Sequence, residues 1–264
     1  MIRRASTVAI VAAGTLTVGM PPRALYAAPL PSIPAPSPVH LTFDDEFDGA
    51  ALDTTKWSTA FAAHNRLRPG DQGYYAAHAV TVADGNAVIT STDQAENDRP
   101  YTTGVLCSAG NFWQRGGIFE IRAQLPQTRG LLASFWLNAR DNPPEIDGYE
   151  VFGQSPRDVE QTNHWRDPDT RRHRAERTDY MFPATDSAAS MFHTYDVVWD
   201  PGRSITWFVD GHLTSTHTTG VPDEPMYMYI QLSVKPPGPA APTAESKFPA
   251  VYRIDYVRVF QSTD

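Results

Sequence analysis

The chain has 264 residues, of which 41% are hydrophobic and 20% charged, an ordinary composition for a soluble globular protein with a buried core. Its formal net charge of −8 argues against nucleic acid as a partner, because phosphate binding needs a basic face. A single cysteine, Cys107, excludes an intramolecular disulfide, so we expect the core to hold the fold.

The first 28 residues are typical of a secretory signal peptide. Arg3 and Arg4 precede an apolar run from Val8 to Met20, and small residues follow at Ala27 and Ala28. The run is shorter than the roughly 20 residues of a membrane-spanning helix, although a membrane anchor or a buried helix is an alternative interpretation. The two arginines leave the Tat export route open. We predict a secreted protein without membrane contact once the signal is cleaved.

Residues 29–39 are predicted to form an extended linker, because prolines this dense prevent a sheet or helix from forming. One folded domain is predicted over residues 40–264. Its β-prone runs, separated by turn residues, are 80–82, 87–91, 117–125, 195–199, 204–209, 226–234 and 252–260. The stretch 171–177 is charged all round and is interpreted as a loop or a short exposed turn. Many short strands with turns between them indicate a β-sandwich or a barrel.

The segment Glu145-Ile-Asp-Gly-Tyr-Glu150 concentrates acidic side chains. Glu145 and Asp147 share a strand face, because side chains repeat every two residues. Glu150 would point to the opposite face unless one extra residue intervened, and a β-bulge at Gly148 supplies it. We therefore predict that the three acids line one face.

Paired carboxyl groups are what glycosidic bond cleavage needs, one ionised and one protonated. Neighbouring negative charges would keep one of the three acids protonated. Glu145 would then act as nucleophile and Glu150 as acid and base, with Asp147 orienting Glu145, although spacing alone does not distinguish these roles. Such a motif by itself is also typical of a solvated strand face.

Seven segments together resemble glycoside hydrolase family 16, whose retaining β-glycanases include laminarinases, lichenases, agarases and κ-carrageenases. They stand in the family's order over nearly all of residues 41–264: 43–49, 117–122, 134–137, 145–150, 192–199, 205–211 and 253–260. The resemblance implies an all-β jelly-roll sandwich of two curved antiparallel sheets with a concave substrate cleft. The five-residue spacing of the glutamates is similar to that of the laminarinase and agarase branch.

The resemblance also implies residues that contact substrate. Trp136 would line the glycone side of the cleft, with burial in the core as the alternative, and His164 would lie near the acid/base. Gln231 would contribute an amide to the cleft. Trp113 and Trp165 are further candidates, because aromatic rings bind sugars.

The resemblance further implies a structural Ca²⁺ at Glu46, the backbone of Gly85 and Asp255, and no cofactor for catalysis. We predict a monomer acting on a polysaccharide, either a β-1,3-glucan or a galactan. The galactan is included because Leu132-Ala-Ser-Phe-Trp136 departs from the laminarinase pattern and the basic loop 163–173 is similar to loops of agarases. The alternatives are an inactive carbohydrate-binding protein, a transglycosylase and a purely structural sandwich.

Overall fold

The computed structural model describes Ile33 and residues 38–263, which belong to one compact unit spanning Pro31–Asp264. The predicted signal peptide, most of the predicted linker and the last residue lie outside the described residues. Ile33 falls within the predicted linker, and its side chain is buried with Ile118 and Phe260. The domain boundaries stay predictions.

The described residues form sixteen β-strands, as the alternating and β-branched segments indicate. The strands are β1 Val39–Asp45, β2 Gly73–Tyr75, β3 Val80–Ala83, β4 Asn86–Ser91, β5 Tyr101–Thr103, β6 Val105–Cys107, β7 Gly117–Gln124, β8 Leu131–Asn138, β9 Glu145–Phe152, β10 Asp158–Arg166, β11 His173–Met181, β12 His193–Asp200, β13 Ser204–Val209, β14 His212–His217, β15 Tyr227–Val234 and β16 Ala250–Ser262.

Two short 3₁₀ helices, Ala62–His64 and Ala77–Ala79, complete the described elements. Neither these nor any other helix of the described residues has the length and apolar character to cross a membrane.

Two antiparallel sheets make up most of the fold. The eight-stranded sheet has the order β14-β13-β12-β7-β16-β4-β3, with β1 also paired to β16, and the six-stranded sheet has the order β11-β10-β9-β8-β15-β6. The short strands β2 and β5 form a separate parallel pair. This arrangement confirms the predicted jelly-roll sandwich.

Side-chain alternation divides the six-stranded sheet into a core face and an outer face. Leu131, Ala133, Phe135 and Leu137 of β8 belong to the main core between the sheets, whereas Trp136 packs in a second cluster. That second cluster, on the outer face, also contains Phe61, Tyr75, Val105, Cys107, Tyr227 and Tyr229. The outer face is therefore partly aromatic and available to carry a site.

The prediction of a loop at 171–177 is wrong for residues 173–177, because β11 begins at His173. The interpretation of 163–173 as a loop is likewise wrong for residues 163–166, because β10 ends at Arg166. Strand β11 lies at the edge of the six-stranded sheet and pairs only with β10, residue for residue from Asp158 to Arg166. An edge strand needs no apolar face, and charged side chains there discourage pairing with another chain.

Candidate active site

The β-bulge predicted in β9 is present at Gly148. Trp136 on β8 lies opposite Asp147, but the next residue, Phe135, lies opposite Tyr149, so Gly148 is the extra residue. Ile146, Tyr149 and Val151 consequently face the core, on either side of the bulge. Glu145, Asp147 and Glu150 all line one cavity on the outer face.

Two neighbours hold the bulge in place. A Cβ on Gly148 would lie 2.7 Å from Cδ1 of Phe135, so the close approach of the core requires glycine. Trp207, on β13 of the other sheet, donates its indole N–H to the Asp147 carbonyl at 2.8 Å. The backbone at the bulge is thus held from within the core, which positions the carboxyl groups on the other side of the strand.

The cavity around the three acids has a volume of about 250 Å³. Side chains of β8, β9 and β15 form its floor, and two loops form its walls. Its lining consists of Arg68, Pro69, Gly70, Asp71, Leu132, Ser134, Trp136, Glu145, Asp147, Glu150, Ser233, Lys235 and Pro236.

Asp147 is the most buried of the three acids, at 3% exposure. Burial, followed by the charges of Glu145 and Glu150, raises the pKa of its carboxyl group well above the ordinary value. Asp147 also forms a side-chain hydrogen bond with Glu145. Because its raised pKa favours a proton on Asp147, that bond is donated by Asp147 to Glu145.

Glu150 shares this tendency to stay protonated. Burial, then the charges of Glu160 and Glu145, raises the pKa of Glu150, while Lys235 and His164 oppose the rise. Glu160 lies directly opposite Glu150 on β10. A carboxyl group that keeps its proton is what donation to a leaving oxygen requires.

Glu145 is oriented by neutral and imidazole side chains. Asn142 donates to its Oε2 and also to Asn138 Oδ1, the latter at 2.6 Å. Nε2 of His164 lies 3.8 Å from Glu145 Oε1 and 2.9 Å from Asp147 Oδ2. The structure therefore brings His164 into the site, on the side of Glu145 and Asp147 rather than next to Glu150.

His164 is itself held by a second histidine. Its Nδ1 lies 2.9 Å from Nε2 of His173, and the two rings stack with centroids 5.1 Å apart. His173 is the first residue of β11, in the segment that sequence patterning assigned to a loop. A hydrogen bond at Nδ1 determines which tautomer His164 presents to Asp147.

Trp136 lines the cavity but is only 6% exposed and packs in the second aromatic cluster, so its position combines the two predicted alternatives. The Arg68 guanidinium lies 4.8 Å from the ring centroid, and Tyr229 lies 4.3 Å away. Arg68, in the loop before β2, also donates to the side-chain oxygen of Gln231 at 2.7 Å. The surface beside the acids is therefore formed by the Trp136 ring together with the Arg68 guanidinium.

Gln231 does not contribute an amide to the cavity. It is fully buried, and besides accepting from Arg68 it donates to the Tyr75 hydroxyl at 2.7 Å. The prediction of direct substrate contact is thus not matched by its position, because the 68–71 loop covers this part of β15. Its place in the structure is to hold Arg68.

The two remaining tryptophans lie away from the acids. Trp165 follows His164 on β10 and points to the other side of the strand, into a groove with Gly220 and Arg171. Trp113 is 37% exposed and packs edge-on against Tyr227. Neither lines the cavity of the three acids, so the structure does not bring these two predicted residues into it.

The residues predicted to bind calcium are engaged with arginines. Glu46 accepts two hydrogen bonds from Arg258, at 2.7 and 2.8 Å, and Asp255 pairs with Arg122. These carboxylates do not fit a calcium site in this arrangement, since their oxygens serve guanidinium groups. Calcium binding stays a prediction.

A different trio has the geometry of metal ligands. Among the described residues, ligand atoms of Glu145, Asp147 and His164 all lie within 4.8 Å of one another. These are the same side chains that surround the cavity, and acidic groups at this spacing are common without an ion.

Sequence reasoning missed three charged residues of the cavity: Arg68, Asp71 and Lys235. Asp71 is buried, which raises the pKa of its carboxyl group, and it accepts a hydrogen bond from Tyr75. All three are in loops far from β9 in sequence, and no local pattern distinguishes them from solvated loop residues.

Comparison with known proteins places this geometry in a family. The model of the β-porphyranase A–D GH16 domain matches residues 40–262. Endo-1,3-1,4-beta-glycanase EglC of Rhizobium meliloti is 31% identical over 203 residues, covering 74% of this chain and 42% of that protein. Glucan endo-1,3-beta-glucosidase A1 of Niallia circulans is 28% identical over 269 residues, covering 88% and 39%. The chain thus spans about two fifths of the length of these two relatives.

A solved structure matches over the whole fold. The endo-beta-1,3-glucanase from Pyrococcus furiosus superposes with a TM-score of 0.73 at 27% identity, covering 85% of this chain and 95% of that one. The family model covers most of the chain, from β1 to the end of β16. This chain belongs to glycoside hydrolase family 16.

Proposed function

We propose that the protein is an endo-acting β-glycanase that hydrolyses a polysaccharide by double displacement, with retention at the anomeric carbon. The observation that carries the proposal is the bulge at Gly148, which puts Glu145, Asp147 and Glu150 in one cavity. Two carboxyl groups on either side of one glycosidic bond are the machinery of this reaction.

In the first step, Glu145 attacks the anomeric carbon while Glu150 gives its proton to the leaving glycosidic oxygen. In the second, ionised Glu150 takes a proton from water, whose oxygen displaces Glu145 from that carbon. The raised pKa of Glu150, caused first by burial, supports its starting protonated. Asp147 hydrogen-bonds Glu145 and so orients the nucleophile. The same bond stabilises the Glu145 carboxylate as it leaves the anomeric carbon.

The substrate is proposed to be a β-1,3-glucan or a galactan. Named relatives support the first, and the porphyranase description of the matched family model supports the second. Arg68 and Lys235 in the cavity give it donors for hydroxyl or charged substituents. We further propose a secreted monomer that needs no cofactor for catalysis.

The test is reducing-sugar release from laminarin, mixed-linkage glucan, agarose, porphyran, carrageenan and a β-1,3-galactan. Glu145→Gln and Glu150→Gln are compared with Glu176→Gln, a matched change on β11 outside the cavity. We expect release from one polymer, lost in the first two variants and kept in the third. Binding without release from any polymer would instead favour a carbohydrate-binding protein.

Reaction with azide distinguishes the nucleophile from the acid/base. In Glu150→Ala, azide should displace the glycosyl-enzyme and yield a β-glycosyl azide, because two inversions retain the configuration. In Glu145→Ala, azide should attack the substrate directly and yield the α-anomer. If Glu150→Ala gave the α-azide and Glu145→Ala the β-azide, the two residues would exchange roles. Oligosaccharide products longer than the substrate would identify a transglycosylase.

A further inference from the structure

The residue opposite Glu150 is another glutamate, Glu160 on β10. Directly opposed residues on antiparallel strands point to the same side, with Cβ atoms about 4.5–5.5 Å apart. The Glu160 side chain is 16% exposed. Two half-buried carboxyl groups therefore face each other across the strand pair.

Such a like-charge pair destabilises a sheet unless something offsets it. Arg177, on β11, supplies the offset, because its Nη1 lies 2.8 Å from Glu160 Oε2. Asp179 holds the same guanidinium with bonds of 2.6 and 3.1 Å. The arginine thus pairs with Glu160 rather than with Glu150.

Glu160, Arg177 and Asp179 line a separate cavity of about 370 Å³, whereas Glu150 lines the cavity of the three acids. Substitutions at Glu160 and Arg177 therefore change the surroundings of Glu150 without removing a group from its own cavity. These two side chains have no part in the steps assigned to Glu145 and Glu150.

We propose, resting on the function proposed above, that Glu160 and Arg177 are positioning residues whose opposing charges decide how firmly Glu150 holds its proton. The Glu160 carboxylate disfavours a second negative charge across the strand pair, and Arg177 limits that effect. Glu160 and Arg177 change the proton affinity of Glu150 in opposite directions, whereas a pair with only a structural role would not.

Other charged groups also affect how firmly Glu150 holds its proton. Those on the elements around it are Glu145 and Asp147 of β9, His164 of β10, Asp179 of β11, Arg68 and Asp71 of the loop before β2, and Lys235 after β15. Glu145 adds to the effect of Glu160, while Lys235 and His164 oppose it. All of these groups remain when Glu160 or Arg177 is substituted, although Arg177→Gln also frees the Asp179 carboxylate, whose added negative charge acts in the same direction as that of Glu160.

The experiment is the pH dependence of kcat/KM on the polymer that the panel identifies. The basic limb of that profile reports loss of the proton from the general acid of the free enzyme. In Glu160→Gln we expect the basic limb to move to lower pH by about one unit, because unit charges about 4 Å apart shift each other's pKa by roughly 0.7 unit even at the dielectric of water and by more when partly buried. In Arg177→Gln it should move to higher pH, because the Glu160 charge is no longer offset.

Two controls keep the result interpretable. Glu160→Gln/Arg177→Gln should return the basic limb to near its wild-type position, and Glu176→Gln, a charge loss on the other face of β11, should leave it unchanged. Thermal unfolding of each variant shows whether the domain folds, and Glu160→Gln keeps the shape of the side chain. The proposal is overturned if both single variants shift the limb in one direction, or if neither shifts it by 0.2 unit. A wild-type enzyme that hydrolyses nothing refutes the proposed function instead.

Discussion

Trp207 is expected to support catalysis from the far side of the catalytic strand. It is fully buried, and its indole N–H is bonded to the carbonyl of Asp147, next to the bulge. Trp207→Phe keeps an aromatic ring in the core but removes the donor. The Asp147 carbonyl, at a point where the strand ladder is already interrupted, then loses its partner.

The magnitude follows from a matched site in the same sheet. Trp199 on β12 is equally buried and donates to the Pro222 carbonyl at 3.0 Å, far from the three acids in the fold. Leaving a buried carbonyl unpaired costs about 1–3 kcal/mol, and the smaller ring adds a cavity term in both variants. We expect Trp207→Phe and Trp199→Phe to lower the free energy of unfolding by similar amounts.

Activity should distinguish the two variants. A shift of the bulge displaces Asp147 and the neighbouring carboxyl groups relative to the substrate. A misplacement of about 1 Å is associated with a loss of reaction rate of roughly a hundredfold. Trp207→Phe is expected to lower kcat by roughly ten- to a hundredfold with little change in KM, whereas Trp199→Phe should retain kcat within about twofold. Urea unfolding and steady-state kinetics test this. Equal kcat in the two variants would refute the reasoning.

Two further predictions concern packing and pH. Gly148→Ala places a methyl group 2.7 Å from Cδ1 of Phe135, so we expect a loss of about 1–3 kcal/mol in urea unfolding and a parallel loss of kcat; unchanged values would mean that the bulge relaxes freely. Burial alone would lower the pKa of His193, but its 2.6 Å hydrogen bond to the Asp210 carboxylate raises it above 6.5. The stability from this pair is fully present below pH 6.5 and is lost as pH rises through the raised pKa. Unfolding free energies between pH 6 and 9 should therefore fall in the wild type and less so in His193→Gln, and identical slopes would contradict this.

The catalytic strand could be predicted because its information is local. The period-2 rule places Glu145 and Asp147 together, and the five-residue interval to Glu150 demands an extra residue. Gly148 is the only residue between Asp147 and Glu150 that a bulge packed against Phe135 tolerates, as its missing Cβ shows. Spacing and one glycine were enough to derive this part of the site.

The edge strand β11 could not be predicted from its own residues. Arg174 and Arg177 are exposed, and the half-buried side of the strand carries the polar Glu176 and Thr178 together with Tyr180, which packs against the core. Pairing with β10 holds this strand in place instead, in an unbroken register from Asp158 to Arg166. Hydrophobic periodicity finds strands that bury an apolar face, and the half-buried face of β11, the strand of His173, is mostly polar.

The substrate-contact predictions show two different limits. His164 and Trp165 are consecutive on β10, so alternation excludes both from the same face, but the interpretation of 163–173 as a loop concealed this in the sequence. Gln231 is different, because alternation puts it on the outer face of β15 and yet it is fully buried. What covers it is Arg68, 163 positions earlier in the chain, whose guanidinium lies between the Gln231 amide and the Trp136 ring. The face of a side chain is a local property of its strand, but whether that face meets substrate depends on distant loops. Sequence reasoning therefore found residues on the strands of the site and missed the loop residues Arg68, Asp71 and Lys235.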